Sequence, residues 1–283
     1  MRILVTGADG FTGKYFSAEA VSNGHEVIAL QANLNDVESL NQEVLNAAPD
    51  AVVHLAAISF VGHDDDEDFY RVNVIGTINL LKALTQPALK KARVLIASSA
   101  NIYGTPDVET IDENVKPAPV NHYAASKLAM EFMVKTYFDK LPVVITRPFN
   151  YTGIGQADSF LIPKIVNHFK RGEKVVELGN LDVSRDFFDV RDVAAAYVKL
   201  IESNVSSTIL NICSGRAIAL REVIQKMNLI AGYEIEVRVN PAYVRANEMP
   251  CLRGNDSYLR DLINFLPKYT FDDTLKSMFE NKD

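Results

Sequence analysis

Short apolar runs alternate with amphipathic stretches through the first half of the chain. Five runs with little polar interruption are typical of strands buried in a parallel sheet: residues 3–5, 25–30, 51–57, 93–97 and 143–146. Four stretches have apolar residues at helical spacing: residues 11–23, 37–48, 69–84 and 122–138. Strands that alternate with helices predict a right-handed parallel sheet covered on both faces.

The pattern changes after residue 150. Helices and strands are still predicted there, at residues 162–171, 175–176, 193–202, 208–212, 220–231, 235–239 and 275–279. We predict a Rossmann-type, doubly wound α/β domain from residues 1–150, to which residues 186–212 return with a last strand. Residues 151–185 and 213–283 would form a smaller α+β lobe. Ligands of such folds bind outside the carboxyl ends of the strands, here between sheet and lobe.

The 283-residue chain is mildly acidic, with 29 Lys and Arg against 36 Asp and Glu and a formal net charge of −7. No basic stripe occurs, which argues against a nucleic-acid partner. Cys213 and Cys251 make no metal-binding or redox pattern and are typical of free thiols in a reducing compartment. No apolar run approaches membrane-spanning length, and the first strand follows Met1 directly. We therefore expect a cytoplasmic protein with neither a signal peptide nor a membrane partner.

A glycine-rich turn follows the first strand, with Gly7, Gly10 and Gly13 spaced three apart. Glycines let the backbone approach a pyrophosphate closely, and the free N–H groups of a helix N-terminus bind its negative charge. The alternative is an ordinary strand-to-helix turn, which this spacing disfavours. A Walker-type loop is excluded, because Lys14 is followed by Tyr15 where that motif needs Ser or Thr.

The second strand ends where a dinucleotide-binding fold usually places an acidic residue for the ribose hydroxyls of adenosine. Gln31 occupies this position and no arginine follows closely, so NAD and NADP remain alternatives. Asn33 and Leu34 come next and would border the adenine. The acidic run at residues 63–68 resembles a metal cluster, but consecutive carboxylates are more typical of a solvated helix start. We therefore predict no metal site.

Tyr123 and Lys127 are four residues apart, so they share one face of a helix. A phenol with a pKa of about 10 transfers protons poorly at neutral pH unless a nearby cation stabilises its phenolate. Lys127 supplies this cation and can also hold a ribose hydroxyl of the nicotinamide half. Ser99, at the carboxyl end of a strand, can hydrogen-bond the substrate oxygen that Tyr123 protonates. A Tyr–Lys pair at this spacing is often structural, but the glycine turn and Ser99 favour catalysis.

Several motifs together resemble the extended short-chain dehydrogenase/reductases that act on nucleotide sugars. They are Gly7-x-x-Gly10-x-x-Gly13, His54-Leu55-Ala56-Ala57, Asn73, Ser99 before Tyr103-Gly104, Tyr123-x-x-x-Lys127 and Arg147-Pro148-x-Asn150. The resemblance extends over essentially the whole chain. It implies that Ser99, Tyr123 and Lys127 are the catalytic residues and that the cofactor is NADPH or NADH.

The resemblance also implies the binding residues. The cofactor would be held by Gly7, Gly10, Phe11, Gly13, Gln31, Asn33, Leu34, Leu55, Ala56, Ala57, Asn73, Tyr123 and Lys127. The nucleotide sugar would be held by Ser99, Asn150, Arg185, Arg245 and Glu248. Arginines offer planar forks to a diphosphate, and a glutamate accepts from ribose hydroxyls.

Oligomeric state is a further implication of the family. Its members pair the helices that correspond to residues 69–84 and 123–138 into a four-helix bundle, so a homodimer is expected. Leu128, Phe132 and Met133 would supply apolar contacts, although the same pattern also suits packing on the sheet.

The residues after Ser99 restrict the reaction. Family members that dehydrate the sugar carry an Asp-Glu pair at the places of Ala100 and Asn101, neither of which transfers a proton. Residues 178–192, with Arg245-x-x-Glu248, resemble the branch that reduces GDP-4-keto-6-deoxymannose. We therefore expect NAD(P)H-dependent reduction of the C4 ketone of an NDP-4-keto-6-deoxyhexose, with the GDP sugar yielding GDP-D-rhamnose.

Two other functions remain as alternatives. A 4-epimerase would use the same serine, tyrosine and lysine while retaining its NAD. A non-catalytic dinucleotide sensor belongs to a different class, and the intact set of Ser99, Tyr123 and Lys127 argues against it.

Overall fold

Six parallel strands form the central sheet, in the spatial order β2-β1-β3-β4-β5-β9. The computed structural model describes residues 1–58, 65–89, 91–244 and 250–281. The strands of this sheet are β1 (Arg2–Thr6), β2 (Glu26–Ala29), β3 (Ala51–His54), β4 (Arg93–Ala97), β5 (Val143–Pro148) and β9 (Thr208–Ile212). Their carboxyl ends lie at one edge, where loops can gather functional side chains.

Helices cover both faces of the sheet. They are α1 (Phe11–Ser22), α2 (Val37–Ala47), α3 (Asp66–Tyr70), α4 (Thr77–Leu84), α5 (His122–Lys135) and α7 (Val190–Glu202). Ile3 and Val5 belong to the core shared with α1 and α7, whereas Leu4 belongs to the core shared with α2, α4 and α5. Alternate residues of one strand are thus buried on opposite faces, which explains why the strands read as continuous apolar runs.

The smaller lobe is built around β8 (Ser184–Asp189). This strand pairs with β6 (Asn150–Thr152), β10 (Ala217–Ala219) and β12 (Cys251–Leu252), and β7 (Val175–Leu178) pairs with β11 (Glu236–Val239). Its helices are α6 (Leu161–Lys170), α8 (Leu220–Ala231), α9 (Ser257–Ile263) and α10 (Phe271–Glu280). α6, α8 and α10 enclose a separate apolar core with β7 and β8, while Leu259 of α9 packs into the core of the main sheet.

The predicted fold class is confirmed, and two local expectations differ from the structure. Residues 69–84 are not one regular helix, because α3 and α4 are joined by a π-helical segment at Arg71–Gly76. β8 was not predicted as a strand, because Ser, Arg and two Asp interrupt its apolar residues. Asp186 and Asp189 are nevertheless buried, since both carboxylates are hydrogen-bonded.

The start of α3 accounts for part of the acidic run. Asp65 caps this helix by accepting a hydrogen bond from the Glu67 N–H at 2.9 Å, and residues 66–68 lie in its first turn, where carboxylates suit the helix dipole. Residues 63 and 64 lie outside the described residues. None of the helices in the described ranges has the length and apolar character needed to cross a bilayer.

Candidate active site

The glycine turn after β1 packs too closely for larger residues. A Cβ on Gly13 would lie 2.1 Å from the Gly7 carbonyl oxygen, and one on Gly7 would lie 2.9 Å from the Ala56 nitrogen. Gly7 also has a φ of +70°, which favours glycine. The turn therefore folds tightly on itself and packs against the segment after β3, and its glycines form a cradle without side chains. This geometry fits a dinucleotide pyrophosphate at the N-terminus of α1.

The predicted cofactor residues Leu55, Ala56 and Phe11 border this cradle. Leu55 and Ala56 follow β3 directly, and the Ala56 N–H donates to Thr6 Oγ1 at 3.0 Å. The ring of Phe11 stacks on Tyr151, with 6.2 Å between centroids and 8° between planes. Tyr151 also hydrogen-bonds Thr12 at 2.7 Å, so the lobe's first strand contacts the glycine turn.

The segment after β2 carries the residues expected near the adenosine. Gln31 is exposed, and its side-chain amide donates to the Ala29 carbonyl at 3.3 Å. Leu34 is buried, and its carbonyl accepts from the Asn79 side chain at 3.0 Å. The Asn33 side chain accepts from the Asn35 N–H at 2.9 Å, which shapes the turn.

The structure brings Ser99, Tyr123 and Lys127 together at the carboxyl end of β4. Tyr123 lies in the first turn of α5, and the Ser99 side chain is close enough to act on the proton affinity of its phenol. Lys127, one helical turn later, donates to the Ala97 carbonyl at 2.8 Å. The neighbouring Ser98 hydroxyl is buried without a hydrogen-bond partner among the described residues, so this edge offers a spare polar group to a ligand.

Burial controls the proton affinities of this set. It raises the pKa of the Tyr123 phenol to about 12, and the Ser99 side chain opposes the rise only in part. Burial lowers the pKa of the Lys127 ammonium to about 8, although the Glu131 carboxylate raises it. The prediction that Lys127 lowers the pKa of Tyr123 is therefore wrong for this structure. The raised pKa keeps the phenol protonated at neutral pH, which is the form that donates a proton.

Asn73 fixes α5 to the segment after β3. Its side-chain oxygen accepts from the Ile58 N–H at 3.0 Å, and its side-chain nitrogen donates to the Ile58 carbonyl and to Ser126 Oγ. Ser126 in turn donates to the Tyr123 carbonyl at 2.8 Å. Asn73 is 1% exposed, so this predicted cofactor residue lies behind the site, where it connects α5 with the segment after β3.

His54 continues this network toward β1. Thr77 Oγ1 donates to the Asn73 carbonyl at 2.7 Å, so it accepts from His54 Nε2 at 2.8 Å. His54 Nδ1 therefore accepts from Thr6 Oγ1 at 2.7 Å. Burial, aided by the Lys127 charge, lowers the pKa of His54 to about 3. The imidazole is neutral, with its proton on Nε2.

A buried ion pair holds the other side of α5. Arg147 of β5 donates to both carboxylate oxygens of Glu131, at 2.9 and 2.7 Å, and the Glu131 and Arg147 side chains are 0% and 4% exposed. Arg147 also donates to the Tyr103 hydroxyl at 2.9 Å, which donates to Asn211 Oδ1 of β9 at 2.8 Å. These contacts link α5 to two strands and to the loop after Ser99.

The lobe places Arg185 on β8, next to β10 and β12. Arg185 is half-buried, and one of its guanidinium nitrogens donates to the Ser184 carbonyl at 2.9 Å. Its neighbour Asp186 accepts from the Ser214, Gly215 and Gly254 N–H groups, and burial raises the pKa of this carboxyl to about 6. This clasp fixes the strand that carries Arg185.

Of the other residues predicted to bind the substrate, the structure describes Asn150. Asn150 is half-buried at the start of β6, directly after the last residues of β5. Arg245 and Glu248 lie outside the described residues.

Sequence reasoning missed Glu131, the site role of His54 and the Thr12–Tyr151 contact. Glu131 could have been found, because it lies four residues after Lys127 and so shares its helix face. His54 is a polar residue that ends a buried strand, which signals a hydrogen-bonded imidazole. No sequence pattern indicates the contact between Thr12 and Tyr151, which are 139 positions apart.

The sequence is similar to known proteins over most of its length. The model of the NAD dependent epimerase/dehydratase family matches residues 3–213. GDP-6-deoxy-D-talose 4-dehydrogenase of Aggregatibacter actinomycetemcomitans is 35% identical, with 100% of this chain and 98% of that protein aligned. GDP-6-deoxy-D-mannose reductase of Pseudomonas aeruginosa is 33% identical, with 99% and 96% aligned.

Solved structures resemble the chain over nearly its whole length. A protein from Burkholderia cenocepacia J2315 is 44% identical with a TM-score of 0.94, covering 99% of this chain and 97% of its own. RMD from Pseudomonas aeruginosa, solved with NADPH, is 32% identical with a TM-score of 0.89, covering 98% and 97%.

The substitution Glu131→Gln is expected to destabilise the protein by about 3–5 kcal/mol, because it leaves the buried Arg147 charge without its partner. The free energy of unfolding from urea titration measures this. The control Asp272→Asn removes an exposed ion pair with Lys226 and should leave the unfolding curve unchanged. Equal curves for the two variants would show that the buried pair does not hold α5.

Proposed function

Because the chain belongs to the NAD-dependent epimerase/dehydratase family of extended short-chain dehydrogenase/reductases, we propose that it reduces the C4 ketone of a nucleotide sugar. The proposed reaction converts GDP-4-keto-6-deoxy-D-mannose to GDP-D-rhamnose with NADH or NADPH. One observation carries the proposal: a buried, protonated Tyr123 lies beside Ser99 at the carboxyl end of β4, with Lys127 on the same helix face.

The residues divide the chemistry between them. A reduced dinucleotide held at Gly7, Gly10 and Gly13 would supply the hydride that C4 of the sugar receives. Tyr123 gives its phenolic proton to the oxygen that becomes the C4 hydroxyl, and the Ser99 hydroxyl hydrogen-bonds that oxygen. The Lys127 ammonium, which is charged below a pKa of about 8, would donate to a ribose hydroxyl of the nicotinamide half. At neutral pH the Tyr123 phenol is protonated and the Lys127 side chain is charged, which are the forms that these two roles need.

The surroundings of Ser99 support reduction over dehydration. Ala100 is buried and apolar, and the Asn101 N–H donates to Ser99 Oγ at 3.1 Å. Removal of water from a sugar needs an acid and a base besides Tyr123, and neither Ala100 nor Asn101 provides one.

The identity of the sugar rests on the relatives and on Arg185. Both curated relatives are named for GDP-linked 6-deoxyhexoses, and Arg185 on β8 offers a guanidinium to a diphosphate. The name of the talose enzyme favours a second candidate product, GDP-6-deoxy-D-talose, which differs from GDP-D-rhamnose only in configuration at C4. A 4-epimerase with retained NAD is the remaining alternative.

A turnover assay with GDP- and dTDP-4-keto-6-deoxy sugars separates these functions. The reductase consumes NADH or NADPH in step with the keto-sugar, whereas an epimerase interconverts sugars without net oxidation. The proton coupling between H3 and H4 of the product distinguishes an axial H4 in rhamnose from an equatorial H4 in talose. Binding of the dinucleotide without turnover of any sugar would overturn the proposal and favour a sensor.

Tyr123→Phe is expected to slow the hydride step by roughly 10²–10⁴-fold, because it removes the proton donor and keeps the ring. Single-turnover decay of NADH or NADPH absorbance measures the step. The control Tyr258→Phe removes an exposed hydroxyl bonded to Thr208 and should leave the rate unchanged. A Tyr123→Phe rate within threefold of wild type would assign the proton to another donor.

Arg185→Ala is expected to weaken binding of the nucleotide sugar about ten- to a hundredfold, since a charge-assisted contact with a diphosphate is lost. Cofactor affinity should change little. Calorimetric titration with GDP and with the dinucleotide measures both. Arg221, which pairs with Asp182 on the surface, is the control arginine. Equal losses for both ligands, with a lowered melting temperature, would indicate a structural role for Arg185.

The proposed assembly is a homodimer through α4 and α5. Phe132 and Met133 are 55% and 41% exposed on α5, and Ile75 is 48% exposed beside α4, so this face presents apolar side chains to solvent. Leu128 contributes less, because it packs against the core around Ile102 and Tyr103.

Sedimentation velocity at micromolar concentration should show a dimer, and Phe132→Glu should shift it to monomer by placing a charge in the contact. The control Leu229→Glu changes a residue that is 83% exposed on α8 and should remain dimeric. A wild-type protein that sediments only as monomer would contradict this assembly.

A further inference from the structure

A carboxylate from α2 binds the backbone N–H groups of the turn after β2. Glu43 accepts from the Gln31 N–H at 2.7 Å and from the Ala32 N–H at 2.6 Å, one hydrogen bond to each carboxylate oxygen. Glu43 is half-buried in the second half of α2. The two consecutive N–H groups therefore hold the Glu43 carboxylate in a fixed position at this turn.

This turn is the part of the fold that would meet the adenosine ribose. β2 lies beside β1, whose carboxyl end carries the glycine turn. A dinucleotide-binding fold uses an acidic side chain at the end of β2 to accept from the ribose 2′-hydroxyl, or an arginine to receive a 2′-phosphate. Here the side chain of Gln31 turns back to Ala29, and the carboxylate comes from Glu43. The sequence next to Gln31 does not reveal this carboxylate, because Glu43 lies twelve residues further along the chain.

The same region lacks the cation that a 2′-phosphate needs. The sequence contains no Lys or Arg between Lys14 and Arg71, so β2, its turn, α2 and β3 carry none. Arg71 is paired with Asp68, and Lys82 lies in the last turn of α4. The negative charge of Glu43 is therefore not offset by any basic residue of these elements.

We propose that Glu43 is a specificity-determining residue that makes NADH preferred over NADPH. Each carboxylate oxygen has a lone pair left to accept from a ribose hydroxyl after binding its N–H group. A 2′-phosphate brings up to two negative charges, which repel the carboxylate and compete with it for the N–H groups of Gln31 and Ala32. The inference concerns only the dinucleotide part of the proposed function.

Direct binding tests this without any sugar. Isothermal titration of the wild-type protein with NADH and with NADPH should give a dissociation constant about tenfold or more lower for NADH. Glu43→Gln keeps an oxygen for one N–H group and removes the charge, so it should tighten NADPH and reduce the preference about tenfold. The control Glu38→Gln removes an exposed charge from the first turn of the same helix and should keep the wild-type ratio.

Two results would overturn the proposal: wild-type protein that binds NADPH as tightly as NADH, or a Glu43→Gln ratio equal to that of Glu38→Gln. If Glu43→Gln fails to fold, the salt dependence of the wild-type preference decides. A preference caused by charge repulsion falls between low and high ionic strength, and a constant preference refutes it. NADH preference without turnover of any keto-sugar would support this inference while refuting the proposed reaction, so the two failures are distinguishable.

Discussion

The position of α5, the helix that carries Tyr123 and Lys127, depends on the bidentate pair between Glu131 and Arg147. Charges removed from water need close partners, and here two short hydrogen bonds and the Tyr103 hydroxyl meet that need. The pair fixes α5 against β5, so Tyr123 and Lys127 reach the carboxyl edge of the sheet in one register. Glu131 also acts on the site electrostatically, because it favours the charged form of Lys127.

A second, neutral brace holds the opposite side of α5. Asn73 and His54 connect the segment after β3 and the π-helical turn with the end of β1. At the junction of the π-helical segment with α4, the Thr77 hydroxyl donates to the Asn73 carbonyl, while the Asn73 side chain bonds Ile58 and Ser126. The active site is thus positioned by one ionic and one uncharged network.

Much of the fold was readable because burial on both faces makes parallel strands continuously apolar. The glycine turn and the Tyr123–Lys127 pair could also be found from the sequence, because the residues of each motif lie only three or four positions apart. β8 escaped this reasoning because its buried aspartates are satisfied by N–H groups from distant segments. Glu43 escaped for the same reason, as its partners lie on another element. The direction expected for the pKa shift of Tyr123 was wrong because burial, which the sequence does not show, raises this pKa.

The buried imidazole of His54 has a consequence for acid tolerance. Its pKa is near 3 in the folded protein and 6.5 otherwise, so an unfolded chain takes up a proton below pH 6.5 that the folded protein does not bind. The stability that this neutral histidine contributes is complete above that pH and is lost as pH falls toward 3. Within the folded protein the imidazole keeps one proton throughout this range. His54 thus lowers the stability of the fold as the pH falls, while the hydrogen-bond pattern behind the candidate site stays unaltered.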